Sequence, residues 1–118
     1  MRAKDELGRT GEQVAAAYLK RAGFRILDRN WRCADGEIDI VAVERRVLVV
    51  CEVKTRAGEG FGPPTAAVSR SKQVRLRRLA LRWLSAHGVL FDEVRIDVIG
   101  LLRDHTGCFA IEHVRGVG

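Results

Sequence analysis

The sequence predicts an α/β sandwich in which helices flank a mixed central sheet, in the order helix, three strands, helix, two strands. Three observations predict it. Apolar residues recur at helical spacing near the amino terminus and again across residues 67–87. Two runs rich in β-branched residues flank Arg45-Arg46, the pattern of a hairpin. A further alternating run, Val94–Leu102, follows the second helix, and a turn at Asp104-His105-Thr106-Gly107 leads into Cys108–Val114.

The first helix is expected over residues 5–22, where Leu7, Gly11, Val14, Tyr18 and Ala22 share a stripe and Gly23 supplies the stop. Thr10 with Gln13 also makes a capping-box pattern, which would start the helix later. Glu12 falls at the border of the apolar stripe, where a side chain either reaches into a cleft or stays in solvent. Phe24–Leu27 reads as a short strand, with Asn30-Trp31-Arg32 leading to a turn through Ala34-Asp35-Gly36. The second helix spans about 67–87, with Leu76, Leu79, Ala80, Trp83 and Leu84 on its apolar stripe and Gly88 ending it. Trp83 is better placed in a core than against a base.

The hairpin of residues 37–43 and 47–54 carries the chemistry. A tight turn sets Glu44 opposite Val47, and counting outward sets Asp39 opposite Glu52 and Glu37 opposite Lys54, all four on one face, whereas a three-residue loop would throw Asp39 and Glu52 onto opposite faces. Directly opposed residues have Cβ atoms about 5 Å apart, so carboxylates facing each other need positive charge between them. Leu48 and Val50 share the face of Glu52 and Lys54, while Val47, Val49, Cys51 and Val53 take the other. A strand apolar on both faces is interior, where a charged cluster is costly. Two carboxylates and an ammonium suit Mg²⁺ or Mn²⁺, which takes oxygen ligands and keeps several waters, beside a lysine able to handle a proton or neutralise charge. A solvated salt-bridge cluster is the plainer alternative. Residues 55–65, rich in glycine and proline, are expected as a loop over this site.

Composition narrows the class. A chain of 118 residues fits one domain, 1–118. The start, Met1-Arg2-Ala3-Lys4-Asp5-Glu6, has no apolar signal region, and no run approaches membrane-spanning length, so a cytoplasmic protein without membrane contact is expected. Cys33, Cys51 and Cys108 are odd in number and widely spaced, against a disulfide scaffold. His105, Cys108 and His113 are too scattered for a zinc site to be favoured over a turn histidine, a buried cysteine and a strand-end histidine. The net charge of +6 favours polyanionic partners. Arg70, Lys72, Arg75, Arg77, Arg78 and Arg82 lie on the second helix with nothing acidic between Glu59 and Asp92, which points to phosphate. Arg95 and Asp97 share a face and would pair with one another.

Asp39, with Glu52-Val53-Lys54 thirteen residues later and Glu12 on the first helix, resembles the PD-(D/E)XK nuclease superfamily. Gly11-Glu12, Gly36-Glu37-Ile38-Asp39, Glu52-Val53-Lys54-Thr55-Arg56, Phe61-Gly62, Lys72 and Arg95-Ile96-Asp97-Val98-Ile99 together resemble the YraN-type bacterial family, endonuclease-like and distantly similar to archaeal Holliday junction resolvases. The resemblance implies a restriction-endonuclease-like helix-β-β-β-helix-β core. It implies metal ligation by Asp39 and Glu52, the catalytic lysine role for Lys54, and an acidic site residue at Glu12. Ile38 stands where the superfamily has proline, and Glu37 adds a carboxylate that is either a ligand or a partner of Lys54.

The expected activity is metal-dependent DNA cleavage, on branched DNA by analogy, with Arg56, Lys72, Arg75 and Arg78 on the nucleic acid. A homodimer is expected by the same analogy. The alternatives are a non-catalytic nucleic-acid-binding module that keeps the fold, and an assembly factor whose basic helix meets an acidic protein.

Overall fold

Val47, Val49, Cys51 and Val53 alternate with Leu48 and Val50 along one strand, so that strand must be covered on both faces. A computed structural model describes residues 3–58 and 68–117 and shows how this is done. Helix α1 (Ala3–Arg21) is followed by β1 (Arg25–Cys33), β2 (Gly36–Glu44) and β3 (Val47–Ala57), then α2 (Arg70–His87), β4 (Glu93–Arg103) and β5 (Phe109–Val114). The five strands form one mixed sheet in sequential order. Only β3 and β4 run parallel, and α2 makes the crossover a parallel pair needs.

Two clusters hold the layers together. Ala15, Ala16 and Leu19 of α1 pack on Ile40, Ala42, Val49, Cys51, Ile99 and Leu101. Leu76, Leu79, Ala80 and Trp83 of α2 pack on Ile38, Val41, Leu48, Val50 and Ile96. The expected sandwich and the expected faces of β3 are thus present. Helix α2 begins after the N-cap Ser69, whose side chain accepts from the Lys72 N–H, and ends at Gly88 in the left-handed region (φ 62°). The expected start at residue 67 and the loop from residue 59 onward lie outside the described residues, whereas Thr55–Ala57 belong to β3 rather than to that loop.

Strand β1 is longer than expected. It runs on to Cys33, so Trp31 and Arg32 pair with β2 instead of leading into a turn. Two irregularities hide it in the sequence. Leu27 is an extra residue between the pairs Ile26↔Ala42 and Asp28↔Val41, and Asn30 sits at φ 52°, a conformation asparagine tolerates.

The β2–β3 turn is the tight one expected: Glu44 faces Val47, and Arg45 takes φ 58°. The paired register continues to Ile40↔Cys51, the step just before Asp39 and Glu52. There β2 departs from simple alternation. Ile38 packs with α2 and Ile40 with α1, although residues two apart on a regular strand share a face. The expectation of four charged residues on one regular face is therefore corrected. Glu37 stands in register with Arg32 of β1, and the β2–β3 ladder ends before the step that would set it opposite Lys54.

Candidate functional site

The break in alternation falls at Asp39, where the β2–β3 ladder stops. Its Oδ2 accepts the Val53 N–H at 2.8 Å, a backbone donor that a longer ladder would have used. Burial, and after it the negative charge of Glu52, push the Asp39 carboxyl up to about 7; Glu12 and Glu37 add to the rise and the Val53 hydrogen bond opposes it. Four carboxylates from α1, β2 and β3 therefore act on one another at this point.

Each is held in place by a different element. Glu12 is delivered by α1, which approaches β3 closely at Gly11: a methyl group there would overlap the Thr55 side chain. Glycine inside a helix costs about 1 kcal/mol relative to alanine, and here it allows the contact that sets its neighbour Glu12 beside the sheet. The Asn30 amide bridges two carboxylates, donating to Glu12 Oε1 at 2.7 Å and Glu37 Oε1 at 3.1 Å. Arg32 Nε lies 3.2 Å from Glu37 Oε2, and Arg29 Nη2 lies 4.0 Å from Glu12 Oε1. From the other helix, Lys72 Nζ sits 2.7 Å from Glu52 Oε1. Lys54 follows two residues after Glu52; burial first, and then Lys72, hold its ammonium below the usual lysine range, with Arg56 acting in the same direction and Glu52 against it.

Of the residues expected to meet DNA, Lys72 is thus at the carboxylates themselves. The Arg75 stem passes 4.0 Å from the position a Cβ on Gly36 would take, at the β1–β2 turn. Arg56 and Arg78 are exposed on β3 and α2. Sequence reasoning passed over Arg9, Arg29, Asn30 and Arg32. With Glu12, Glu37 and Asp39 they line an open cleft of about 710 Å³. The only signal for Asn30 was its residue type, since asparagine is among the few side chains at ease with positive φ.

The donor set suits a hard cation: oxygen ligands only, with an excess of negative charge around Asp39. Among the described residues no three His, Cys, Asp or Glu side chains stand together as a ready-made ligand group. Asp39 and Glu52 are the carboxylates on adjoining strands that could hold a Mg²⁺ or Mn²⁺ ion, which commonly takes one or two carboxylates and keeps several waters. The loose His105, Cys108 and His113 group does not gather. His105 and Cys108 are exposed, while His113 is buried between Tyr18 and Asp97.

Asp97 lies in a separate network. It is fully buried, accepting from Arg95 Nε at 2.8 Å, as expected, and from the Gly116 N–H at 3.0 Å, with His113 Nε2 at 2.7 Å. Tyr18 Oη is 2.8 Å from His113 Nδ1, and Arg95 also reaches Glu44 at 2.8 Å. Burial pushes the Asp97 carboxyl up, but the hydrogen bonds from His113, Arg95 and Gly116 together hold it below the ordinary range. This network ties α1, β2, β4 and β5 to one another.

The fold and the cleft define a small α/β-sandwich protein whose carboxylates and basic side chains meet where two central strands part. The chain belongs to the UPF0102 family: residues 11–101 match the family described as "Uncharacterised protein family UPF0102". It is 52% identical over 118 residues to a UPF0102 protein of Beutenbergia cavernae, covering all of both chains. It shares the same 52% over 118 residues with a UPF0102 protein of an Arthrobacter species, again over the whole of both. A UPF0102 protein of Streptomyces coelicolor is 53% identical over 119 residues, covering 99% of this chain and 92% of that one. The expected YraN-type membership is borne out at the level of the family. Among the described residues no helix is long and apolar enough to cross a membrane.

Proposed function

We propose that this protein is a metal-dependent DNA endonuclease that hydrolyses a phosphodiester at Asp39, Glu52 and Lys54. The observation that carries the reading is the meeting of Asp39 with Glu12, Glu37 and Glu52 in a partly buried site, where burial first and then Glu52 push its carboxyl up to about 7. Such a group is held in its charged form by a cation rather than by water.

Mg²⁺ or Mn²⁺ bound to Asp39 and Glu52 would supply Lewis-acid stabilisation of the phosphoryl oxygens. The chain's own residues do the rest. Water adds to phosphorus and releases a proton to the surrounding solvent, one P–O bond to a sugar breaks, and the departing oxygen gains a proton. Lys54, its ammonium made more acidic by burial and by Lys72, places a proton and a positive charge at the phosphate. Glu12 acts through Asn30 and through its charge on Asp39. Lys72, Arg75, Arg78 and Arg56 carry phosphates of the DNA on the α2 side. The three free cysteines, Cys33, Cys51 and Cys108, suit the reducing cytoplasm in which we place the activity. A homodimer would let two strands of a branched substrate be cut together.

One observation favours a second reading, a nucleic-acid-binding module that does not cut. Lys72 Nζ already rests on Glu52 at 2.7 Å, neutralising the carboxylate a metal would use. The two readings separate on chelation. Glu52→Ala and Lys54→Ala are each expected to lower Mg²⁺-dependent cleavage by about 10²-fold or more, and a chelator to abolish it. Cleavage indifferent to a chelator would contradict the proposal.

A further inference from the structure

We propose that the cleft between α1 and β1 is a binding site for a single DNA strand, gripped at its phosphates by Arg29 and Arg32 beside the carboxylates. This deepens the endonuclease reading and rests on it for the identity of the polymer. The cleft opens on Asp39, Glu12 and Glu37, and no residue of α2 lines it. It therefore lies on the opposite flank of the site from Lys72 and Arg75, so a strand crossing the carboxylates would meet cations before and after them.

Its size and chemistry select the ligand. A cavity of about 710 Å³ is in the range of sites for small molecules, which suits a short stretch of one strand better than a double helix. Arg29 Nη2 lies 4.0 Å from Glu12 and Arg32 Nε 3.2 Å from Glu37, and a guanidinium carries five N–H donors in a planar fork suited to phosphate. The Arg32 side chain is 78% exposed, and phosphate can approach it without unpacking the core. Among the described residues the cleft is lined by charged and polar side chains, and a guanidinium grip on phosphate is indifferent to base sequence.

The strand is thus expected to enter as a frayed end, flap or branch arm, the duplex remaining outside on the basic face of α2. The test is fluorescence anisotropy in a chelator, using a labelled thymidine strand of about twelve nucleotides and a blunt duplex of equal length. Arg29→Gln/Arg32→Gln is expected to weaken single-strand binding about tenfold and to flatten the plot of log K against log salt by about 1.4, about 0.7 per lost contact. Duplex affinity should change less than about threefold, and Arg29→Lys/Arg32→Lys, which keeps the charges, should retain most of the salt slope. Unchanged single-strand binding in a glutamine variant that melts like wild type would overturn the proposal. So would an equal loss on the duplex, which would make the cleft one part of a general basic surface. Because binding is read without metal, absence of cleavage counts against the endonuclease reading alone, and a cutting enzyme with unaltered single-strand binding in the variant counts against this inference alone.

Discussion

Asp39 is under opposing influences that pH can separate. Its carboxyl moves from an ordinary value of 3.8 to about 7 on folding, first through burial and then through Glu52. Between those two values the folded chain holds a proton that the unfolded chain has released. The group therefore lowers stability as pH rises from about 4 to about 7, and the loss is complete above the folded value. In a chelator, Asp39→Asn is expected to melt above wild type at pH near 8 and to converge with it towards pH near 4. Added Mg²⁺ should raise the melting temperature of wild type at the higher pH and leave Asp39→Asn unmoved. A variant that melts below wild type at high pH would show that the buried charge is already compensated. Asp97 is the opposite case, a buried carboxylate with its hydrogen bonds satisfied. Asp97→Ala would strand Arg95 and His113 and is expected to cost about 3–5 kcal/mol in chemical denaturation. A loss below about 1 kcal/mol would mean the network relaxes into solvent.

At the scale of elements, the docking of α1 on β3 is the contact that brings Glu12 to the sheet. Helix propensity alone says that Gly11→Ala should stabilise by about 1 kcal/mol. The overlap with Thr55 predicts the reverse sign, a loss of about 2 kcal/mol, with Gly11→Ala/Thr55→Gly recovering part of it as a positive coupling in a double-mutant cycle. Additive effects of the two substitutions would remove the close approach from the account. The same element shows what a sequence can disclose. The spacing of Leu7, Val14 and Tyr18 marks a helix, and Gly11 falls on its stripe, but the partner of that glycine is forty-four residues away, in β3. The β2–β3 hairpin was legible because β-branched residues crowd both strands, but its register was not, since Arg45-Arg46 lacks the Asn-Gly type of signal that fixes a turn. The second half of β1 was not legible, because Asp28, Arg29, Asn30 and Arg32 give it the polarity of a loop, and the extra residue Leu27 breaks the period. Missing that half also hid the register of Glu37 with Arg32, since counting along β2 and β3 alone brings only Lys54 into view.

Over the whole molecule, the residues that mark the family divide into two kinds. Gly11, Arg95 and Asp97 hold layers together, whereas Glu12, Asp39, Glu52, Lys54 and Lys72 meet at the parting of β2 and β3. The net charge of +6 surrounds this acidic centre, with arginines on both the α1 and α2 sides of the sheet. A polyanion drawn to such a surface would be led to the carboxylate-rich cleft, and its binding should weaken steeply with salt. The most direct test of the central claim is cleavage of a labelled four-way junction beside linear duplex and single-stranded controls, with wild type and Glu52→Ala run together in Mg²⁺ and then Mn²⁺. The account predicts cutting by wild type only, and only with metal, with the junction or the single strand preferred over linear duplex. Binding of all three DNAs without cutting in either metal would contradict it and leave the non-catalytic module in its place.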